Sequence, residues 1–262
     1  MTHPAYEMVR QVTPVAAVLL QSNPGPMTLD GTNTWVLRGP DSDETVVVDP
    51  GQTDDVHLDN LLAAAPKIST VLVTHGHFDH SQAAAELHER TGAPVRAIDP
   101  EYCHGGSPLS DGESIETAGI RVRVVATPGH SSDSVSFVLD ESAVLTGDTI
   151  LGRGTTVVAY PDGNLGEYLS SLRLLRDLGG ALVLPGHGPE LKSLAEVADM
   201  YLAHRQERLD QVRAALADLG SEATARQIVE MVYADVDQAV WWAAELSVKA
   251  QLDYLRNPPR AR

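Results

Sequence analysis

Hydrophobic positions along the chain come in short runs rich in β-branched residues, separated by turn residues. They are TWVL at 34–37, TVVVD at 45–49, TVLVTH at 70–75, VRAI at 95–98, IRVRVVA at 120–126, SVSFVLD at 134–140, AVLTGD at 143–148 and ALVLPGH at 181–187. Runs this short, with this much Val and Ile, predict strands. The run at 12–20 predicts another buried strand, although it carries Pro14. Helical periodicity appears between several strands, in DDVHLDNLLAAA, HSQAAAELHERTG and LGEYLSSLRLLRDLGG, the last two closed by Gly as a helix stop. The mixture of hairpins and helical crossovers predicts an α/β fold with helices packed outside sheets. VVVDPG followed by VLVTHGH is echoed by VLTGD followed by LVLPGHG, so in each half one strand ends in Asp and the next in a His flanked by Gly.

From Glu190 the pattern changes. Strands stop, Ala, Leu, Glu and Arg dominate, and three helices are expected: one to about residue 219, one over 223–234 and one over 238–256. NPPR then closes the helical pattern, because consecutive prolines cannot extend a helix. The reading is a first region, 1–189, followed by an all-helical tail, 190–262. No apolar stretch approaches the roughly 20 residues of a membrane span. The 12–20 run follows one basic residue and leads into polar QSNPGP, so it reads as a strand and not as a signal peptide.

Composition narrows the partners. Aromatics are 5% of 262 residues, so the core has to be built from Val, Leu, Ile and Ala. Nineteen Lys+Arg against 36 Asp+Glu give a formal net charge of -17, most of it before residue 190, and no basic run interrupts it. That balance repels polyanions and disfavours a nucleic-acid partner. Cys103 is the only cysteine, which excludes an intrachain disulfide and any Cys-pair zinc site and suits a reducing, cytoplasmic setting.

The candidate chemistry lies in HGHFDH, which puts His75, His77, Asp79 and His80 into six residues directly after a strand. On a helix His75 and His77 would point about 200° apart. They converge only in a tight loop at the strand end, which Gly76 permits. Asp79 and His80 then fall at the start of the next helix and face another point, so one segment can serve two cations. His130 in ATPGHSSDS, Asp148 in LTGDT and His187 in LPGHG also lie at strand ends beside Gly, where open α/β folds gather ligands at one rim. Imidazole and carboxylate without thiolate suit zinc first, with iron or manganese as alternatives. Water held between two such cations is a nucleophile at neutral pH, so no Ser or Cys nucleophile is required.

These residues closely resemble the metallo-β-lactamase superfamily of metal-dependent hydrolases over roughly residues 12–190. HGHFDH, TPGHSSDS, TGD and PGHG match its metal motifs in order, and VVVDPG, with Asp49, matches its first, non-ligating motif. The resemblance implies an αββα sandwich holding two Zn²⁺ ions. It puts His75, His77 and His130 on one metal, Asp79, His80 and His187 on the other, and Asp148 on both. Asp79 is also expected to position the attacking water, and Asp49 to orient a ligand from behind. Cys103 reads as a loop thiol without a partner, and His3, His57, His88 and His104 as exposed or locally satisfied.

A bridging carboxylate resembles glyoxalase II, RNase Z and the β-lactamase-like protein 2 type, and counts against β-lactamase activity. TLDGTNTWVL, TGDTILGRGT and YLAHRQERLDQV look most like the third group, linked to single-stranded RNA cleavage or to acyl-carrier thioester hydrolysis. That group carries a C-terminal winged-helix-like extension. Here ATARQIVEMVY and AVWWAAELSVKAQLDYLR supply the helix pair, and the sequence beyond Arg256 leaves no room for a wing. Trp241 and Trp242 are expected to pack against the hydrolase core. His204 and Arg205 are the tail residues closest to the site mouth, on a helix charged enough to be a solvated face. The leading expectation is a binuclear zinc hydrolase of a small or carrier-linked ester or thioester. An endoribonuclease is the alternative, and a non-catalytic helix-turn-helix regulator a distant third.

Overall fold

The structure is a computed structural model and describes residues 3–140, 142–234 and 237–257. Among the described residues eleven strands form two sheets. The first has β1 (Val9–Gln11), β2 (Ala16–Leu20), β3 (Asn33–Leu37), β4 (Thr45–Val48), β5 (Ile68–Leu72) and β6 (Val95–Arg96) in sequential order. The second runs β11-β10-β9-β8-β7, with β7 (Ser114–Thr117), β8 (Ile120–Ala126), β9 (Val135–Leu139), β10 (Ala143–Gly147) and β11 (Leu182–Pro185). Pairing is antiparallel except β4–β5, β5–β6 and β10–β11. The echoed sequence pairs therefore form corresponding parallel pairs, one per sheet.

Alternation along the strands explains the layers. Trp35, Leu37, Val46, Val48 and Leu72 from one sheet meet Val124, Phe137, Leu145 and Leu184 from the other in the central core. The opposite faces are also apolar: Val36, Val47 and Val71 pack under α1 (Asp55–Ala64) and α3 (Ala84–Thr91). Val144 and Val183 pack under α4 (Leu165–Asp177) and the first half of α5 (Leu194–Leu219). The result is the expected αββα sandwich, with strands buried on both faces and therefore continuous in hydrophobicity.

Several expectations are corrected. The 12–20 run is not one strand: Pro14 sits in a turn, where Thr13 Oγ1 accepts the Ala16 N–H, and β1 and β2 form an antiparallel pair around it. The helix expected from HSQAAAELHERTG is divided into α2 (Phe78–Ser81) and α3, with α3 ending at the left-handed Gly92. The edge strands β1 and β7 are additional; β1 is exposed throughout and β7 alternates between exposed and half-buried, so neither carries an apolar run to detect. In the tail, α5 is followed by α6 (Ala225–Val232), opened by a Thr224/Gln227 capping box, and by α7 (Trp241–Arg256). Trp241 belongs to the tail's own core with Val212, Ile228, Val229 and Val248, not to the hydrolase core, and Trp242 is 52% exposed. Apart from a single antiparallel bridge from Leu191 to Val183, the described residues of the tail form no strand, and the stretch where a wing would begin falls almost wholly outside them.

Candidate metal centre

The seven expected side chains come together at one rim. Their ligating atoms fall into three overlapping groups, each within 4.8 Å: His75, His77 and His130; His75, His80 and Asp148; and Asp79, His80 and His187. The chain reaches this arrangement through strand ends. His75 follows β5 after two residues, His130 and Asp148 lie in the turns after β8 and β10, and His187 follows β11. His77 caps α2, which presents Asp79 and His80 from its first turn.

Hydrogen bonds at the back of each ring define which nitrogen faces the centre. His130 Nδ1 donates to the Val157 carbonyl at 2.7 Å, and His187 Nδ1 to the Gly31 carbonyl at 3.0 Å. His80 Nδ1 lies 2.8 Å from Asp49 Oδ2. The Thr74 hydroxyl donates to the same oxygen at 2.7 Å, so it accepts from His75 Nδ1 at 3.0 Å. A neutral imidazole that donates at Nδ1 presents a lone pair at Nε2. With these rings neutral, as ligation requires, four such lone pairs converge on the centre. His77 adds Nδ1, 3.0 Å from both His75 Nε2 and His130 Nε2, and His80 Nε2 lies 3.2 Å from His187 Nε2.

Lone pairs this close repel unless a proton or a cation lies between them. Asp148 Oδ1, buried within 3.5 Å of His80 Nε2, has no hydrogen-bond partner among the described residues. An orphaned carboxylate oxygen beside five inward nitrogens fits a site for cations. Gly186 makes room for it: a Cβ there would stand 2.7 Å from Asp148 Oδ1 and from His80 Cε1.

Electrostatics divides the cluster. Burial, reinforced by neighbouring imidazoles, holds His75 well below the usual histidine range, and burial lowers His130 to about 4. For His80 and His187 burial is outweighed by the carboxylates. Asp79, Asp148 and Asp49 raise His80 well above its ordinary value, and Asp148 with Asp79 raises His187 to about 9. Asp148, although buried, is held well below the carboxylate range by His187 and His80. Two carboxylates, Asp148 and Asp79, thus stay ionised at a rim where His77 is exposed and Asp79 half-buried.

Asp49 is 1% exposed, and its carboxylate accepts from Thr74 N–H, the Thr74 hydroxyl and His80, so it orients two of the imidazoles from behind. Sequence reasoning missed three supports. Asp133 accepts the Gly76 N–H at 2.7 Å and holds the HGH loop. Thr74 relays Asp49 to His75. Thr156 accepts from Arg205 at its carbonyl, and its hydroxyl lies 3.1 Å from His130 Nδ1. Asp133 was legible in HSSDS, but Thr156 carries no local signal.

The remaining assignments divide. Arg205 is buried over the Tyr168 ring and does not lie on a solvated face. His57 is also fully buried, between Glu7 Oε2 and Thr34 Oγ1 at 2.9 Å each. Cys103 is half-buried, and its Sγ accepts the Ala97 N–H at 3.4 Å, so it has a partner after all.

A two-sheet sandwich with imidazoles and carboxylates at one rim defines a metal-dependent hydrolase of the lactamase class. The chain belongs to the metallo-β-lactamase superfamily, whose family profile matches residues 27–187, and a beta-lactamase associated winged helix domain profile matches residues 224–261. A Beta-lactamase-like protein 2 homolog of Caenorhabditis elegans is 31% identical, covering 95% of this chain and 86% of that protein. An Atrochrysone carboxyl ACP thioesterase of Aspergillus fumigatus is 34% identical, over 85% of this chain and 74% of that one. The fold is shared with a beta-lactamase domain protein from Burkholderia ambifaria, at a TM-score of 0.82 and 23% identity, over 97% of this chain and 89% of the other. No helix among the described residues is long and apolar enough to cross a membrane.

Proposed function

We propose that the protein is a binuclear zinc hydrolase of an ester or thioester, with a carrier-linked acyl group as substrate. The observation that carries the reading is the set of converging imidazole lone pairs around the unpartnered Asp148 oxygen. His75, His77 and His130 would hold one ion, Asp79, His80 and His187 the other, and Asp148 both. Ligands of this type suit zinc, with iron or manganese as alternatives. When bound, the pair supplies Lewis-acid polarisation of the scissile carbonyl and activation of water at neutral pH.

The chain's own residues do the rest. Asp79, lowered below its usual range by His80 and His187 despite burial, stays ionised and can accept a hydrogen bond from the attacking water. Asp49 and Thr74 keep His80 and His75 in one tautomer. Phe78, 60% exposed beside His77, offers an apolar contact at the mouth for an acyl group. The similarity to a protein named as an acyl-carrier thioesterase supports the substrate class, and the net charge of -17 weighs against RNA. We place the enzyme in the cytoplasm on its single cysteine. The test is a screen of metal-loaded protein against thioesters, esters, lactones, β-lactams and single-stranded RNA. Thioester turnover is expected. Efficient RNA cleavage at physiological salt with every ester and thioester untouched would overturn it in favour of an endoribonuclease.

A further inference from the structure

A cavity of about 270 Å³ lies where the tail meets the sandwich, between α5, Tyr233 and the start of α7 on one side and the loops carrying Met27 and Val157 on the other. Those loops also supply the Gly31 and Val157 carbonyls that hold His187 and His130. The cavity therefore borders the metal centre.

Three side chains of α5 line it: His204, Arg205 and Arg208. Arg205 is 4% exposed, gives one Nη to the Thr156 carbonyl, and leaves Nε buried without a hydrogen-bond partner. Arg208 lies 4.8 Å over the Tyr233 ring and donates to Gln211. His204 Nδ1 is buried and unpartnered as well. Neither arginine has a carboxylate within ion-pair distance among the described residues, whereas Arg10, Arg90, Arg153 and Arg226 all do. In a chain with 36 acidic against 19 basic side chains, two arginines on one cavity wall without an acid among the described residues are a local reversal of the field. A guanidinium cannot shed its charge, so burying it without a counterion is costly until an anion arrives. Burial and the two arginines hold His204 below the usual histidine range, which leaves it neutral with an N–H to donate.

We propose that this cavity is a subsite for the phosphate ester of a carrier-linked substrate, bound by Arg208 and Arg205 with His204, while the scissile thioester lies at the metal centre. The proposal rests on the thioesterase reading and names what it selects. The pantetheine arm that joins an acyl group to its carrier ends in a phosphodiester, and a guanidinium fork matches phosphate geometry. A small cationic cavity of this size suits one phosphate, whereas an RNA strand would bring many into a field of -17.

The experiment compares hydrolysis of a coenzyme A thioester with that of the N-acetylcysteamine thioester of the same acyl group, which has no phosphate. Binding of 4′-phosphopantetheine is followed separately by calorimetry. The wild type should favour the phosphate-bearing substrate. Arg208→Gln should reduce that preference about ten- to hundredfold, the range for one charged hydrogen bond, and weaken phosphopantetheine binding in parallel. Arg208→Lys should restore part of both, and Arg173→Gln, on the exposed face of α4, should leave the ratio at its wild-type value. An unchanged ratio and unchanged binding in Arg208→Gln would overturn the subsite. Failure to cleave either thioester would overturn the thioesterase reading, and the calorimetry alone would then decide the subsite. Arg208-dependent binding of single-stranded RNA without phosphopantetheine binding would reassign the cavity to nucleic acid.

Discussion

Asp49→Asn separates ligand orientation from ligation, because Asp49 reaches the centre only through Thr74 and His80. Its Oδ1 accepts the Thr74 N–H at 2.7 Å, and its Oδ2 accepts both the Thr74 hydroxyl at 2.7 Å and His80 Nδ1 at 2.8 Å. An amide has one acceptor oxygen. If it stays on the Thr74 N–H, the NH₂ faces two donors; if it turns, the NH₂ faces the Thr74 N–H. In the first case His80 can restore a hydrogen bond only by moving its proton to Nε2, the nitrogen that faces the cluster. Losing one or two charge-assisted bonds in a buried site costs about 2–4 kcal/mol of stability. Removing such an outer partner lowers metal affinity by about 10–100-fold. The loss should be larger at the site of His80, which Asp49 contacts directly, than at the site of His75, which it reaches only through Thr74. Zinc affinity measured by competition with a chromophoric chelator, with near-ultraviolet circular dichroism to verify folding, checks this. A folded Asp49→Asn protein that binds its second zinc as tightly as the wild type would refute the orientation argument.

Asp148→Ala should lower metal content from about two ions per chain to below one, because its carboxylate faces both ligand groups, and elemental analysis of dialysed protein reads this directly. Asp79→Ala should abolish turnover while keeping at least one ion, since His75, His77, His130 and Asp148 are untouched; an Asp79→Ala protein with wild-type kcat would exclude Asp79 from the reaction. Metal binding should release protons at pH 7.5. With His187 raised from 6.5 to about 9 and His80 raised well above its usual range, the metal-free protein carries these protons and the loaded protein does not. Zinc affinity should therefore rise as pH approaches about 9, and a calorimetric binding enthalpy independent of the buffer's ionisation heat would contradict this.

Local pattern sufficed wherever one short segment carries its own signal. The β8 run is read residue for residue, Gly92 marks the end of α3, and HGHFDH announces two facing directions because His75 and His77 can converge only off a helix whereas Asp79 and His80 open the next one. The edge strands β1 and β7 were invisible, because exposed strands pair through backbone groups that leave no mark on side-chain choice. The helix expected after His80 divides in two, because Asp79 and His80 stand at the rim while Ala84 and Leu87 pack against the first sheet. Long-range partners were the least legible. Thr74 and Asp49 are 25 residues apart, Asp133 and Gly76 are 57 apart, and Arg205 and Thr156 are 49 apart. Nothing in the chain near Arg205 distinguishes a cation stacked under a loop from one of the solvated charges around it. Its burial arises only when the second sheet, α4 and α5 close on each other, since periodicity records which face a residue occupies and packing alone determines what that face meets.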